Sequence, residues 1–260
     1  MKTEVLFGQI AGKKGIPGIE LPLDNGGQLR VRGKIDRVDV AQQDDQTWLA
    51  VVDYKSGDKQ FSLVEAYYGL AMQLITYLDV ALMDAKELVG TEAVRPAGAY
   101  YMRVHDPVLS PQEAENDRLL EKFKMKGFYL KDGELYQQMD DSPGPKETSQ
   151  LFPINRDAKG ILKNTPQTKT FYTEAEIDTM RRYNREKMKS AGDKIVSGEI
   201  ALNPYLTASG KRACTYCPFR SLCGFDVMLK ENDYHRLVSQ DKEHLLDEMK
   251  GAVEDDETNQ

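Results

Sequence analysis

Hydrophobic and polar residues alternate along a segment near the start of the chain. From Leu29 to Val40, apolar or small residues and charged residues occupy alternate positions, and a largely apolar run follows from Thr47 to Lys55. A period of two residues is typical of a β-strand. The polar cluster from Gln42 to Gln46 predicts a turn centred near Asp44 and Asp45, so the two segments are expected to form an antiparallel hairpin.

Helical periodicity replaces this alternation after the hairpin. From Ser62 to about Asp84, apolar residues recur at spacings of three and four, which predicts an amphipathic helix. Ser62 and Glu65 have the spacing of an N-terminal capping box. The segment Arg95 to Val104 is predicted as a further strand, and Thr173 begins a long amphipathic helix that extends to about Gly192.

The chain between residues 107 and 170 is more polar than its surroundings and contains two turn clusters. We interpret it as an insertion, with a helix near Gln112 to Met125 and a short hairpin about Asp132 and Gly133. A short helix from Asp241 to Lys250 is predicted near the end. Residues 251–260 form an acidic tail, which is expected to be disordered.

Composition excludes several classes of protein. Hydrophobic residues make up 40% of the 260 residues and charged residues 30%, as in ordinary globular proteins. No stretch approaches the ~18–20 apolar residues of a membrane span, and Met1 to Gln9 lacks the features of a secretory signal. Three cysteines are too few for a disulfide scaffold, which indicates a reducing compartment, the cytoplasm. We expect one domain over residues 1–250.

Two carboxylates and a lysine are the candidates for chemistry. Asp53 and Lys55 share a strand face, and the predicted turn brings Asp36 across from Asp53. Carboxylates this close repel each other unless a cation lies between them, and hard oxygen ligands suit Mg²⁺ or Mn²⁺. A lysine beside the metal can position or deprotonate water and stabilise charge on a phosphate. The pattern therefore indicates metal-assisted phosphodiester hydrolysis.

The alternative is that these charges lie solvated on an exposed hairpin face, with Asp53 and Lys55 as a weak surface pair. The apolar run before Asp53 is more typical of a buried strand. Gln73 and Tyr77 on the following helix are four residues apart and share one face. By themselves, these two residues are more typical of the core or its rim than of a functional site.

A cysteine cluster lies within residues 205–226. Cys214, Cys217 and Cys223 have the spacing C-x₂-C-x₅-C. Such thiolates suit zinc or an iron–sulfur cluster, while free buried thiols are a further alternative. None of the three histidines has ligand spacing to this cluster.

These motifs together resemble a known family. Gly33–Asp39, Val52–Gly57 and Gln73–Tyr77 are similar, in this order, to the successive motifs of RecB-family nucleases in the PD-(D/E)XK superfamily, and the cysteine cluster fits as well. The resemblance is closest to the C-terminal nuclease domains of the AddB (RexB) group. It implies an α/β fold with a restriction-endonuclease-like three-layer core, in which helices flank a mixed sheet.

The resemblance also implies roles for particular residues. Asp36 and Asp53 would bind the metal ion, with the Tyr54 backbone carbonyl as a further ligand, and Lys55 would be the catalytic lysine. On the next helix, Gln73 and Tyr77 would face DNA beside these groups and belong to the catalytic set.

In this family the cysteines hold a [4Fe–4S] cluster, whose fourth ligand lies far upstream. This chain contains no fourth cysteine, so we expect an excised domain with an absent or incomplete cluster. The implied function is a metal-dependent DNA exonuclease that resects double-strand ends for recombinational repair, with an AddA/RexA-like helicase partner. Alternatives are a stand-alone Cas4-like iron–sulfur exonuclease and a catalytically inactive DNA-binding or scaffold module.

Charge patterning gives a mixed indication about DNA. The net charge of −7 argues against nucleic-acid binding, although the acidic tail contributes four of the negative charges. Basic residues cluster near Asp36 and on the later helix, where they could be solvated faces or could contact phosphates. Arg37 is expected to contact DNA. The other clustered residues are Arg30, Arg32, Lys34, Arg181, Arg182, Arg185, Lys187 and Lys189.

Overall fold

A computed structural model describes residues 1–9, 12, 15–107, 119–132, 135–136, 139–140, 149, 151–153 and 170–258. The strands of the described part are β1 (Lys2–Phe7), β2 (Glu20–Pro22), β3 (Gln28–Arg30), β4 (Gly33–Gln43), β5 (Gln46–Lys55), β6 (Arg95–Arg103), β7 (Lys126–Leu130), β8 (Phe171–Tyr172), β9 (Tyr205–Thr207) and β10 (His235–Leu237). The helices are α1 (Leu63–Tyr67), α2 (Gln73–Met83), α3 (Ala85–Val89), α4 (Glu174–Ser197), α5 (Arg220–Cys223) and α6 (Lys242–Thr258).

Six strands form one mixed sheet in the order β1-β4-β5-β6-β7-β8. The central pair β5 and β6 is parallel, whereas β4 with β5 and β6 with β7 are antiparallel. Helix α2 packs on β5 and β6, and α4 lies against α2. The α/β class and the mixed sheet flanked by helices are confirmed.

The central hairpin forms with the predicted turn. Asp44 and Asp45 connect β4 to β5, and the strands pair from Gln43↔Gln46 to Arg37↔Val52. Asp44 has a φ of +51°, as the tight turns that join antiparallel strands require. A two-residue connection fixes the register of the whole hairpin.

The strand predicted from Leu29 to Val40 is wrong as a single element. Residues Gln28–Arg30 pair with β2, and a separate strand begins at Gly33. Val31 lies at the change of partner: its N–H donates to the Ile19 carbonyl at 2.9 Å. Arg30 therefore does not share a strand with Asp36, and no continuous basic face connects them.

The helix predicted from Ser62 to Asp84 is divided. The Ser62 hydroxyl accepts a hydrogen bond from the Glu65 N–H at 3.2 Å, which confirms the N-cap. Helix α1 then ends, and α2 begins only at Gln73. Gly69 between them has a φ of +77°, a left-handed conformation that terminates a helix and that glycine adopts at low cost.

The described part of the insertion differs from its predicted elements. Residues 112–118 and Gly133 lie outside the described residues. The remainder of the predicted Gln112–Met125 helix contains a 3₁₀ turn at Leu120–Phe123. No hairpin forms about Asp132 within the described residues, because β7 pairs with β6 on one side and runs parallel to β8 on the other.

Helix α4 begins as predicted and extends further. The Thr173 hydroxyl accepts from the Glu176 N–H at 3.2 Å, and the Glu176 carboxylate accepts from the Thr173 N–H at 2.6 Å, so the capping box is complete. The helix ends at Ser197 rather than near Gly192. Gly198 follows with a φ of +75°, which accounts for the stop.

Two of the clustered arginines on α4 bind a buried acid instead of forming an exposed basic surface. Asp79 on α2 has no solvent-exposed surface. Its carboxylate accepts from Arg181 Nε at 2.8 Å and from Arg185 Nε at 2.6 Å. Since these guanidinium groups join α4 to α2, the structure does not favour a phosphate-binding role for them.

Helix α6 extends to Thr258, so residues 251–258 of the expected disordered tail are helical in the structure. Leu245, Met249 and Val253 recur every four residues and are all buried. This apolar stripe packs α6 against α4 and so continues the helix past Gly251. In the described residues, no helix is long and apolar enough to cross a membrane.

Candidate active site

Asp36 and Asp53 lie on the same face of the central hairpin. The last paired positions of β4 and β5 are Arg37 and Val52, and the two aspartates are the next residues outward. Asp53 is only 4% exposed, and Asp36 is half-buried. The Asp36 Oδ2 accepts a hydrogen bond from the Tyr54 N–H at 2.9 Å, so its side chain occupies the position where the strand pairing stops.

Lys55 connects the carboxylates to helix α2. Its Nζ lies 2.5 Å from Asp53 Oδ2 and donates a hydrogen bond to Gln73 Oε1 at 3.0 Å. Gln73 Nε2 in turn donates to the Tyr77 hydroxyl at 3.1 Å. The Tyr77 ring packs edge-on against Phe7, with centroids 5.8 Å apart. The predicted set Asp53, Lys55, Gln73 and Tyr77 is therefore contiguous.

The electrostatic state of Asp53 is determined mainly by its burial. Burial raises the pKa of Asp53, the neighbouring Lys55 opposes that rise, and the charge of Asp36 adds to it. Asp53 Oδ2 is buried and makes no hydrogen bond of acceptable geometry, although Lys55 is in ion-pair contact with it. A buried carboxylate oxygen in this state is a favourable ligand for a cation.

The donor atoms fit a divalent metal ion. Two carboxylates converge, and the N–H and C=O groups of one strand residue point to the same side, so the Tyr54 carbonyl faces the same side as Asp36. Within the described part of the chain, no three His, Cys, Asp or Glu side chains form a ligand set. Two carboxylates with few other protein ligands suit Mg²⁺, which retains several waters when bound to proteins.

Arg37 is not brought to this site. Its guanidinium binds Asp39, with Nε 2.8 Å from Oδ1 and 2.9 Å from Oδ2. The pair of Arg37 with Val52 places the arginine on the opposite face of the sheet from Asp36, because successive side chains alternate. The structure therefore does not favour the expected DNA contact of Arg37.

Tyr101 on β6 lies beside the catalytic candidates. Like its neighbour Tyr100, it is buried. Tyr101 pairs with Asp53 across β5 and β6, and its ring centroid is 5.6 Å from Lys55 Nζ. Burial, followed by the charge of Asp53, raises the pKa of Tyr101 to about 12. Only the parallel strand pairing shows this relationship, because residues 53 and 101 have no local sequence relationship.

The three cysteines do not form a complete cluster site. Cys214 and Cys217 are partly buried and Cys223 is exposed, all as free thiols. A [4Fe–4S] cluster requires four ligands, and the chain contains three cysteines. Among the described residues the thiols do not gather into a metal-binding set. This chain alone does not fit the cluster.

A mixed sheet that carries two aspartates and a lysine at the end of its central hairpin defines a restriction-endonuclease-like core of the α/β class. The family model for the PD-(D/E)XK nuclease superfamily matches residues 2–224. The chain belongs to this superfamily.

Curated relatives share most of this chain. A protein of Enterococcus faecalis that is named as a subunit of an ATP-dependent helicase/deoxyribonuclease is 49% identical over 98% of the chain. Proteins of the same name from Listeria innocua and Latilactobacillus sakei are 38% and 36% identical over 92% and 96% of it. The chain spans about a fifth of the length of these relatives, namely 22%, 21% and 22%.

Proposed function

We propose that this chain is a metal-dependent deoxyribonuclease domain that hydrolyses DNA phosphodiesters as an exonuclease. The observation that carries the proposal is the buried Asp53 carboxylate, which is opposite Asp36 and in contact with Lys55. A scaffold protein would gain no stability from burying an acid whose pKa burial raises. Membership of a nuclease superfamily supports the same chemistry.

The residues of the chain have separable tasks in this proposal. Asp36, Asp53 and the Tyr54 carbonyl would hold Mg²⁺ or Mn²⁺, which supplies Lewis acidity toward the phosphodiester when bound. Lys55 Nζ places its positive charge where negative charge develops on the phosphate. Gln73 fixes the direction of Lys55 by accepting its hydrogen bond at 3.0 Å.

Tyr77 acts through Gln73 and not directly on the phosphate. Its hydroxyl accepts from Gln73 Nε2 and so fixes the orientation of that amide. The amide oxygen is then directed at Lys55 and not turned away from it. Gln73 and Tyr77 therefore act as positioning residues, and a DNA contact by either residue remains part of the proposal.

The biological setting is proposed from the relatives. Their name combines a helicase with a deoxyribonuclease and describes one component of a complex. We therefore assign the domain to a helicase–nuclease complex with an AddA/RexA-like partner, which acts in the cytoplasm and resects double-strand DNA ends for recombinational repair. The chain covers only about a fifth of the length of these relatives, which supports the proposal that it is one domain of a longer protein.

The cysteines belong to the same proposal. Cys214, Cys217 and Cys223 would supply three thiolates to a [4Fe–4S] cluster in the longer protein, and the fourth ligand would come from outside this chain. Large apolar side chains around the cysteines are exposed, including Tyr216 at 95% and Leu222 at 84%. A surface of this kind is typical of a segment that another part of a protein covers.

A cleavage assay tests the nuclease. Labelled linear DNA is incubated with the chain and Mg²⁺ or Mn²⁺, beside a Lys55→Ala variant and a Lys86→Ala control. Lys86 is an exposed lysine paired with Glu92, so its loss should not alter cleavage. Degradation that requires metal and Lys55 supports the proposal. Cleavage unaffected by Lys55→Ala, or none even in the intact helicase–nuclease complex, would contradict it.

A further inference from the structure

Side chains on the catalytic face of the sheet extend past the site toward β7. Asp53 on β5 pairs with Tyr101 on β6, and Tyr101 pairs with Lys126 on β7. In the next row, Lys55 pairs with Arg103. Paired residues on neighbouring strands face the same side of a sheet. Arg103 and Lys126 are therefore on the same face as the site and next to it.

Three more lysines extend this group of cations. Lys59, just after β5, places its Nζ 5.2 Å from the Tyr101 ring centroid, on a ring that Lys55 also contacts. Lys122 and Lys124 come from the 3₁₀ turn and the residue after it. The five cations surround one small cavity of about 10 Å³, and we call this cavity and the surface beside it the cationic groove: Lys59, Arg103, Lys122, Lys124 and Lys126.

Among the described residues that line the groove, cations outnumber acids. Asp58 is the acid among them and binds Lys126 at 2.6 Å. In the described residues, no ion pair joins Lys59 or Lys124 to a carboxylate. The chain as a whole carries a net charge of −7. Cations concentrated in one concave place on an acidic protein attract an anion.

We infer that the cationic groove binds the sugar–phosphate backbone of the DNA strand on the β7 side of the cleaved bond. The inference rests on the proposed nuclease function, which places the cleaved phosphate at Lys55. The Tyr101 ring contacts both Lys55 and Lys59, so the groove adjoins the catalytic site. Backbone phosphates are bound without regard to base sequence, as an exonuclease that moves along DNA requires.

Binding measurements on this chain test the groove. The double variant Lys59→Gln/Lys124→Gln is made in a Lys55→Ala background, so that labelled single-stranded DNA stays intact. Fluorescence anisotropy then gives the binding constant over a series of salt concentrations. Loss of two phosphate contacts lowers the slope of log K against log salt by about 1.4 in magnitude, since each contact contributes about 0.7 on single strands.

A matched control separates the effect of where the two charges lie from the effect of the net charge. Lys86→Gln/Lys250→Gln removes the same charge from two exposed lysines that pair with Glu92 and Glu254. This control should retain the slope of the parent. Equal slopes for the groove variant and the control overturn the inference.

Kinetics distinguish failure of the groove from failure of the nuclease. With Lys55 intact, the groove variant should raise KM for DNA more than it changes kcat, because it removes binding that is equal in the ground and transition states. If the chain with intact Lys55 cleaves DNA and the groove variant has the same KM, the inference about the groove is wrong, while the proposed nuclease function stands. If the chain with intact Lys55 neither binds nor cleaves DNA, both the proposed function and the inference about the groove are wrong.

Discussion

Lys55 Nζ lies 2.5 Å from Asp53 Oδ2, and Asp53 is 4% exposed. One ammonium group thus offsets a buried carboxylate beside a second one, Asp36, whose charge further raises the pKa of Asp53. The same lysine is bound by Gln73 from helix α2. Because the sheet and the helix both position Lys55, small changes in either element should be measurable in catalysis.

Gln73→Ala should lower kcat by about 10- to 100-fold with a smaller change in KM, because misplacement of a catalytic group by about 1 Å can cost on the order of 100-fold. Gln73→Glu retains an acceptor for Lys55 and should restore part of the rate. Steady-state cleavage of labelled DNA measures both values. If kcat is unchanged in Gln73→Ala, the amide does not position Lys55.

Asp53→Asn should abolish cleavage and yet raise the melting temperature in the absence of metal. The folded protein holds the pKa of Asp53 above its ordinary value, so the ionised form opposes folding. Below about pH 4, the ordinary range for Asp, protonated Asp53 stabilises the folded protein. This stabilisation is lost as pH rises through the pKa of Asp53 in the folded state. The advantage of the variant should therefore grow with pH above this range.

Added Mg²⁺ reverses this comparison. An ion that binds only the folded wild type stabilises it in proportion to the logarithm of its concentration, whereas Asp53→Asn loses that ligand. Thermal unfolding with and without Mg²⁺ measures the difference, and about 2–4 °C corresponds to 1 kcal/mol for a domain of this size. An equal response of both proteins to Mg²⁺ would show that Asp53 is not a metal ligand.

Asp79→Ala should lower the free energy of unfolding by about 3–5 kcal/mol, because it leaves the charges of Arg181 and Arg185 without their buried partner. Urea unfolding measures the loss. Glu92→Ala, which breaks the exposed pair with Lys86, is the control and should cost no more than about 1 kcal/mol. Similar losses in the two variants would indicate that the Asp79 pairs do not hold α4 to α2.

The purified chain should contain substoichiometric iron. Three thiolates do not complete the ligand set of a [4Fe–4S] cluster, so a cluster bound by this chain alone would be labile. A colorimetric iron assay measures the content, and the intact helicase–nuclease complex provides the comparison. Four irons per isolated chain would show that the fourth ligand comes from within it.

Local patterns were sufficient for the centre of the site. The turn at Asp44 and Asp45 fixes the hairpin register, and a fixed register puts Asp36 beside Asp53 on one face. The N-cap at Ser62 and the start of α4 at Thr173 were predicted correctly, because a cap depends on contacts only three residues away. Where the interacting residues are neighbours in sequence, spacing and alternation specify the geometry.

Contacts between distant parts of the chain required the tertiary structure. The sequence shows Arg181 and Arg185 as a basic cluster, and only helix packing shows that Asp79, 102 and 106 positions away, binds them. The same holds for Tyr101, which reaches Asp53 through a parallel strand pairing that no local period encodes. The sequence by itself determined the hairpin that carries Asp36 and Asp53, because short-range geometry is periodic. The tertiary structure decided which charges are buried and which remain exposed, because burial depends on every element that packs against them.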